Sequence, residues 1–382
     1  MKPHDMQPHA SPGGSRRRRP PVIATRRMVA LTGGLCAGAG GMVLIRHLSA
    51  GSAGSASTMQ PPSGSFGGGA NTMQYDYSGT NSVSLTVGED STAVIDGTDI
   101  TASRSGSNGV FATDSGTALV NDTSIETMAD NSRGLDATYG GTILANKITA
   151  DTQGGHSAIV ATDRGGGSIS LADATLSTAG SGSPLLYSTG DIQVNNVSGT
   201  SSGSQIAGME GLNTILIKDS TLESTVTGKT ASDPIANGII IYQSTSGGVT
   251  ADTISSVDLY LLDGAAWIGA ATITDNAAAG SGTGTASDAP ITVNVDGTST
   301  WVVTKDTTIS ALNVASGGDG NTVTIVANGK TVVSGSGDVT VTVTGSYSTS
   351  VSAGSDTELS SDTIDRSEFD SRFGTSTAWT MA

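Results

Sequence analysis

A period of about two dozen residues, running from Ala93 to Leu222, is the feature that most limits what this chain can become. Short apolar alternations recur at Ala93/Ile95, Ala118/Val120, Ile143/Ala145, Ile169/Leu171, Ile192/Val194 and Ile215/Ile217, with spacings of 25, 25, 26, 23 and 23 residues. Each pair skips one residue, so both members face the same side of an extended strand. A second apolar column follows at Ile100, Ile125, Ile148, Leu176, Val197 and Leu222. A third precedes the first at Val110/Ala112, Leu135/Ala137, Ile159/Ala161, Ile206 and Ile239/Ile241. Three short strands per period, separated by Gly, Asp, Asn and Ser, predict a solenoid of stacked β-coils. Neither the 3.6-residue period of a helical repeat nor the fixed leucine offsets of a leucine-rich repeat is visible. One coil of about 24 residues cannot offset an ordering cost of about 1–2 kcal/mol per residue, so stability must come from burial of coil on coil.

The residues after the central pairs are Asp96, Asn121, Asn146, Ala172, Asn195 and Lys218. Asp and Asn tolerate left-handed backbone and bond to nearby main chain. Stacked, Asp96, Asn121, Asn146 and Asn195 predict a structural ladder inside the bend. That ladder and the apolar columns resemble the right-handed parallel β-helix of the pectate-lyase-like class. Residues 301–312 (Trp-Val-Val-Thr-Lys-Asp-Thr-Thr-Ile-Ser-Ala-Leu) are similar to a coil found in β-helical bacterial surface proteins and autotransporter passengers. The resemblance covers roughly residues 83–345. It implies an all-β, right-handed parallel β-helix and an exported, adhesin-like scaffold. No translocation barrel of alternating ten-residue strands follows, which sets the chain apart from true autotransporters.

Four regions are expected: an export leader or N-terminal anchor over residues 1–50, a Gly/Ser-rich linker over 51–74, the β-helix over 75–345, and an acidic tail or cap over 346–382. Arg16, Arg17, Arg18, Arg19, Arg26 and Arg27 precede the apolar, glycine-rich residues 28–45, and small residues follow. Basic, then apolar, then small is the order of a secretory signal, and residues 25–31 resemble a twin-arginine leader. The expected location is secreted or at the cell surface. An uncleaved anchor is the alternative, and the membrane is then met only through this segment. At the other end Phe369 and Phe373 lie four apart, with Gly374 as a stop signal, and predict a short helix. With Trp379 that helix would cover the open end of the last coil; a disordered acidic tail is the other reading.

Charge is divided between these regions. The first fifty residues carry eight basic side chains against Asp5, a balance of +7, so residues 51–382 carry −23 of the overall −16. A body this acidic argues against nucleic acid or anionic lipid as partners. Cys36, the only cysteine, lies in the leader, as do His4, His9 and His47, which leaves His156 alone in the body. Cysteine-ligated metals and a histidine-based triad therefore have little to work with. Gly-Thr-Ser-Ser-Gly at 199–203 matches a nucleophile motif by spelling only, since no strand–turn–helix pattern surrounds it.

Two candidate sites remain. Asp114, Asp136 and Asp163, with Arg133 and Arg164, flank the first strand of successive coils. Coils about 4.8 Å apart would gather them into one patch. Converging carboxylates with a cation suit a polysaccharide lyase or glycoside hydrolase, although Asp beside Gly is also ordinary turn chemistry. Thr113, Thr138, Thr162 and Thr189 sit near one point of successive coils. Facing outward they would form a hydroxyl column, better suited to carbohydrate than to ice because it lacks paired Thr-x-Thr. No cofactor is expected and no metal site is identified. A structural Ca²⁺ is suggested only by Gly317-Gly318-Asp319-Gly320-Asn321, where Thr322 replaces the Asp of a calcium nonapeptide. The functional expectation is a non-catalytic, surface-exposed scaffold binding an extracellular glycan or a host or cell-surface ligand. The alternative is a carbohydrate-active enzyme on the same fold.

Overall fold

The computed structural model describes residues 27–32, 35–37, 42–48, 78–210, 213–228, 238–242, 256–275, 291–315, 322–327, 330–335, 339–351, 363–377 and 379, with backbone placement alone for the first three segments. The described chain is almost all strand, with one short helix, and its strands stack in parallel as a β-solenoid.

Six rungs make up the first stack. Their long strands are Thr117–Thr127, Thr142–Thr152, Ser168–Thr178 and Asp191–Ser201, each eleven residues. Shorter pairs flank them: Thr92–Asp96 with Asp99–Ala102, and Thr214–Lys218 with Thr221–Ser224. Ile143 pairs with Ala118 below and Ile169 above, Ile169 with Ile192, and Ile192 with Ile215. These side chains are all fully buried, so the aliphatic column is continuous. A buried aliphatic side chain contributes about 1.5–3 kcal/mol, and here each is covered by the rung on either side.

Every long strand bends in the middle, which makes two facets from one element. The bend falls one residue later than the sequence suggests. Asp122, Lys147, Asp173, Asn196 and Asp219 hold the left-handed backbone, with φ of 48–55°. Asp96, Asn121, Asn146, Ala172, Asn195 and Lys218 stack in register just before it. Asn121 Nδ2 donates to Asp96 Oδ1 at 2.7 Å, and one place along Asn196 Nδ2 donates to Asp173 Oδ1 at 2.6 Å. The bend thus carries two polar columns side by side.

The second apolar column also divides in two. Ile100, Ile125, Ala150, Leu176, Gly199 and Leu222 form one line, and Thr123, Ile148, Ala174 and Val197 its neighbour. From Ile125 to Leu222 large and small side chains alternate along the first line. At Gly199 a Cβ would come within 2.8 Å of Leu185 Cδ1 and 3.0 Å of Leu222 Cδ2, so its neighbours already fill that volume. In the third column the phase is corrected: Val160 pairs with Leu135 and Thr162 with Ala137, which turns Ala161 outward.

A serine column runs through the corner before the third facet. Ser107 N donates to Ser132 Oγ, Ser132 N to Ser157 Oγ and Ser157 N to Ser183 Oγ, at 2.9–3.1 Å. The three hydroxyls in turn donate to the carbonyls of Arg104, Ala129 and Gly154. Corner amides that no strand partner reaches are satisfied in this way.

The second stack begins at Ser256–Leu262 and Ala265–Asp275 and continues through Ile291–Val295, Thr300–Val303, Thr307–Val314 and Val339–Ser348. Trp267 pairs with Trp301 in the rung above, and their rings stack with centroids 5.0 Å apart and 6° between planes. Trp301 Nε1 donates to Gly269 O at 2.9 Å. Residues 322–327 and 330–335 form a hairpin beside the last rung.

Among the described residues no strand of the first stack pairs directly with one of the second. The rung between them comes from residues 27–48. Arg27–Thr32 pairs antiparallel with Ile239–Tyr242 and Ala265–Asp275. Leu35–Ala37 lies antiparallel between Thr221–Ser224 and Ala265–Asp275. Met42–Leu48 lies antiparallel between Thr214–Lys218 and Ser256–Leu262. The apolar run read as a leader is, in this structure, a reversed rung. The linker expected at 51–74 lies outside the described residues.

The C-terminal helix spans Ser367–Phe373 and ends at Gly374, φ 65°, whose N–H bonds to Asp370 O. It does not cover the last coil. Phe369 packs on Leu119 and Leu144, on the outer flank of the first stack. Among the described residues no helix is long and apolar enough to cross a membrane.

Candidate functional site

The acidic candidates are partly gathered. Asp136 and Asp163 come from adjacent rungs, and Arg133 joins them. Its Nη2 donates to Asp163 Oδ2 at 2.8 Å, and its Nε lies 3.7 Å from Asp136 Oδ2. Arg164 N donates to Asp163 Oδ1 at 2.9 Å, with Arg164 Nε 3.9 Å from the same oxygen. Asp136 points outward from its strand, yet it is 0% exposed; Arg133 and Asp163 are each 7% exposed. Asp114 is not part of this group. It is exposed, in a turn where it and Ser115 have φ of 52° and 66°. Tyr139 borders the cluster. Burial pushes its phenol up, nearby Arg164 lowers it, and Asp163 raises it again. Asp163 is both paired and hydrogen-bonded, and removing its Arg133 partner would leave an uncompensated buried charge. Chemically the group is two carboxyl groups gathered on one guanidinium, with a second guanidinium at its edge.

Three of the four threonines expected to face a ligand are buried and Thr189 is half-buried, which corrects that reading. Thr138 and Thr162 are 0% exposed and Thr113 only 5%. Thr138 Oγ1 donates to Thr113 Oγ1 at 2.8 Å. Thr162 Oγ1 accepts from the N–H of Thr189 and of Gly190, both at 2.9 Å. Nor do the four share a column, since Thr162 stacks on Ala137 rather than on Thr138. These hydroxyls hold neighbouring rungs together at a turn.

The exposed hydroxyls lie one facet away, on the strands after the bend. Ser124, Thr149, Thr175, Ser198 and Thr221 stack in register over five rungs, and every one is exposed. Two residues along each strand a second line runs Glu126, Asp151, Ser177, Thr200 and Glu223. The grid repeats about 4.8 Å across rungs and about 6.6 Å along each strand. Its two central rungs carry hydroxyls at both places, Thr175 with Ser177 and Ser198 with Thr200. Carboxylates close both ends, and Asp122, Asp173 and Asp219 edge the bend. Each hydroxyl both donates and accepts, so the surface can meet a polyhydroxylated partner in many orientations. The signal for this face was present: the residues immediately before and after Ile125, Leu176 and Leu222 are polar (Ser124 and Glu126, Thr175 and Ser177, Thr221 and Glu223), at the period of the repeat.

Other motifs prove structural. Ser201 in Gly-Thr-Ser-Ser-Gly is buried and donates to Ser204 O at 3.0 Å. His156 holds a turn at φ 55°, with its N–H on Ser181 O. Among the described residues no three His, Cys, Asp or Glu side chains group to hold a metal ion. The calcium-like segment at 317–321 lies outside the described residues. Compared with known proteins, the chain matches no family model, no curated protein and no solved structure.

Proposed function

We propose that this chain is a non-catalytic, exported or surface-displayed scaffold, adhesin-like in kind, that binds carbohydrate along the facet formed by residues 122–127 and its equivalents in the next four rungs. The observation that carries the reading is the exposed, in-register line of Ser124, Thr149, Thr175, Ser198 and Thr221. A flat grid of hydroxyls with carboxylates at its ends offers many weak hydrogen bonds to an extended polymer, and many weak contacts suit retention better than turnover. The acidic body and the basic, apolar N-terminus support an exported protein whose partner is not a polyanion.

A glycan array probed with the full chain tests this. The triple variant Thr149→Ala, Thr175→Ala, Ser198→Ala changes only exposed side chains, so the fold stays and binding should fall at least tenfold. Unchanged retention by the triple variant, or no glycan retained by the unaltered chain, would sink the proposal.

One observation favours a carbohydrate-active enzyme instead: Asp136, Asp163 and Arg133 meet in one cluster. Turnover of uronate polymers with and without Ca²⁺, compared for Asp136→Ala and Arg164→Ala, decides between the readings. Activity lost in either variant, with circular dichroism showing that variant folded, supports the enzyme.

A further inference from the structure

The C-terminal segment is held on the outside of the solenoid, some two hundred residues in sequence from what it touches. Leu119 and Leu144 point outward, between the inward residues of their strands, yet they are 0% and 3% exposed. Phe369 covers them, with Ile364 and Phe373 packed at the margin. Arg366 is 4% exposed and caps the contact. Its Nη1 donates to Ser170 O at 2.6 Å and to Ser170 Oγ at 3.0 Å, and its Nη2 donates to Ala145 O at 3.2 Å. Its guanidinium lies 4.7 Å from the centre of the Phe369 ring. Burial lowers its pKa to about 10, against the pull of Asp370 and Asp173, so it stays charged at neutral pH. The segment runs against the direction of stacking: Thr363 lines a gap with Asp191 and Thr214, and Phe373 another with Val94.

Arg366, Phe369 and Phe373 stand at i, i+3 and i+7, the spacing with which a short amphipathic helix reads a groove. Every floor residue belongs to the first stack, while the segment is tethered to the last rung. From Val351 to Thr363 the chain can reach about 40 Å. Five rung steps separate the strand Val339–Ser348 from Thr214, about 24 Å. The tether therefore exceeds the span, and the contacts are the same whichever copy supplies the segment. Only the effective concentration of the tethered segment, about millimolar for a short linker, favours its own chain.

We infer that the outer face around Leu119, Leu144 and Ser170 is a docking site for the C-terminal segment of a second copy of this chain as well as its own, linking copies tail to face. The contact is heterologous: reciprocal exchange closes as a dimer, and one-way exchange continues as an open chain.

Two full-length variants test this without the competing internal contact. One has a broken tail, Arg366→Ala with Phe369→Ala. The other has a broken face, Leu144→Glu, with Leu119→Lys as a second version should the first misfold; both positions point away from the inner core. Circular dichroism establishes that each is folded, and sedimentation velocity reads association. Each alone should be monomeric, and an equimolar mixture should form a one-to-one complex. Adding Phe373→Ala to the broken-face chain should weaken that complex at least tenfold. A mixture that stays monomeric at hundreds of micromolar overturns the inference. So does a broken-tail chain that self-associates as strongly as the mixture, since bare apolar surface would then explain everything.

Discussion

The two stacks solve the same problem with different regularity. In the first, hydrogen bonds between equivalent places of successive rungs join residues 23–26 apart, and the column from Ala118 to Ile215 is one aliphatic file. In the second the separations scatter: Trp267 pairs with Trp301, 34 residues on, but Val293 pairs with Leu312, 19 on. There a stacked tryptophan pair supplies bulk that the aliphatic file supplies elsewhere. Asp296 ties a turn by accepting from Asp263, Thr298 and Ser299, where the first stack uses its serine column. Uniform rungs let each interface repeat the last, so the first stack draws its stability from sameness. The second relies on a few particular contacts.

The largest expected effect tests that contrast at the tryptophans. Trp267→Ala should cost about 3–5 kcal/mol and shift the denaturant midpoint read by tryptophan fluorescence. Ile169→Ala should cost about 2–5 kcal/mol, read by far-ultraviolet circular dichroism. Because the described strands of the two stacks share no direct pairing, the fluorescence transition should barely move with Ile169→Ala. Equal movement of both signals would make the solenoid one cooperative unit and end the contrast. Ser157→Ala strips the acceptor from the buried Ser132 N–H, for about 1–3 kcal/mol. An exposed hydroxyl such as Thr175 should tolerate alanine within about 0.5 kcal/mol.

The smallest effect is in pH. Burial alone would raise the Asp296 carboxyl, but its hydrogen bonds from Asp263, Thr298 and Ser299 outweigh that and hold it below the usual carboxylate range. Its stabilising contribution is then complete above about pH 4 and is lost as pH falls through the lower, folded value. Acid titration of Asp296→Asn, followed by tryptophan fluorescence, should flatten this dependence in the second stack and leave the first unchanged.

The aliphatic file was legible because its period and its alternation agree. The serine column was equally legible and was overlooked: Ser107, Ser132, Ser157 and Ser183 recur at 25, 25 and 26 residues, inside turns where serine looks ordinary. The outward leucines were visible, since Ala118-Leu119-Val120 and Ile143-Leu144-Ala145 are apolar at all three places, but polarity does not tell which middle residues are covered: Val94 is exposed, whereas Ser170 and Gln193 are buried. The lid itself could not be found by periodicity, because Arg366 and Phe369 reach their partners through tertiary contact alone. Nor could the polarity of the threonines, since burial at a corner depends on the rung above. The cluster of Asp136 with Asp163 was readable from rung spacing; its enclosure was not.

The reversed rung sets a timetable. Residues 27–48 leave the ribosome first, yet the strand Thr214–Lys218 that flanks one side follows some 166 residues later, and Ser256–Leu262 on the other side later still. At about 5–20 residues per second, the apolar run waits roughly 8–33 seconds with neither neighbour made. During synthesis it stays unpaired with these strands, and only afterwards can it be shut between two finished columns. Closure of the solenoid between its two stacks is thus a late event, set by the order of synthesis rather than by the strength of any one contact.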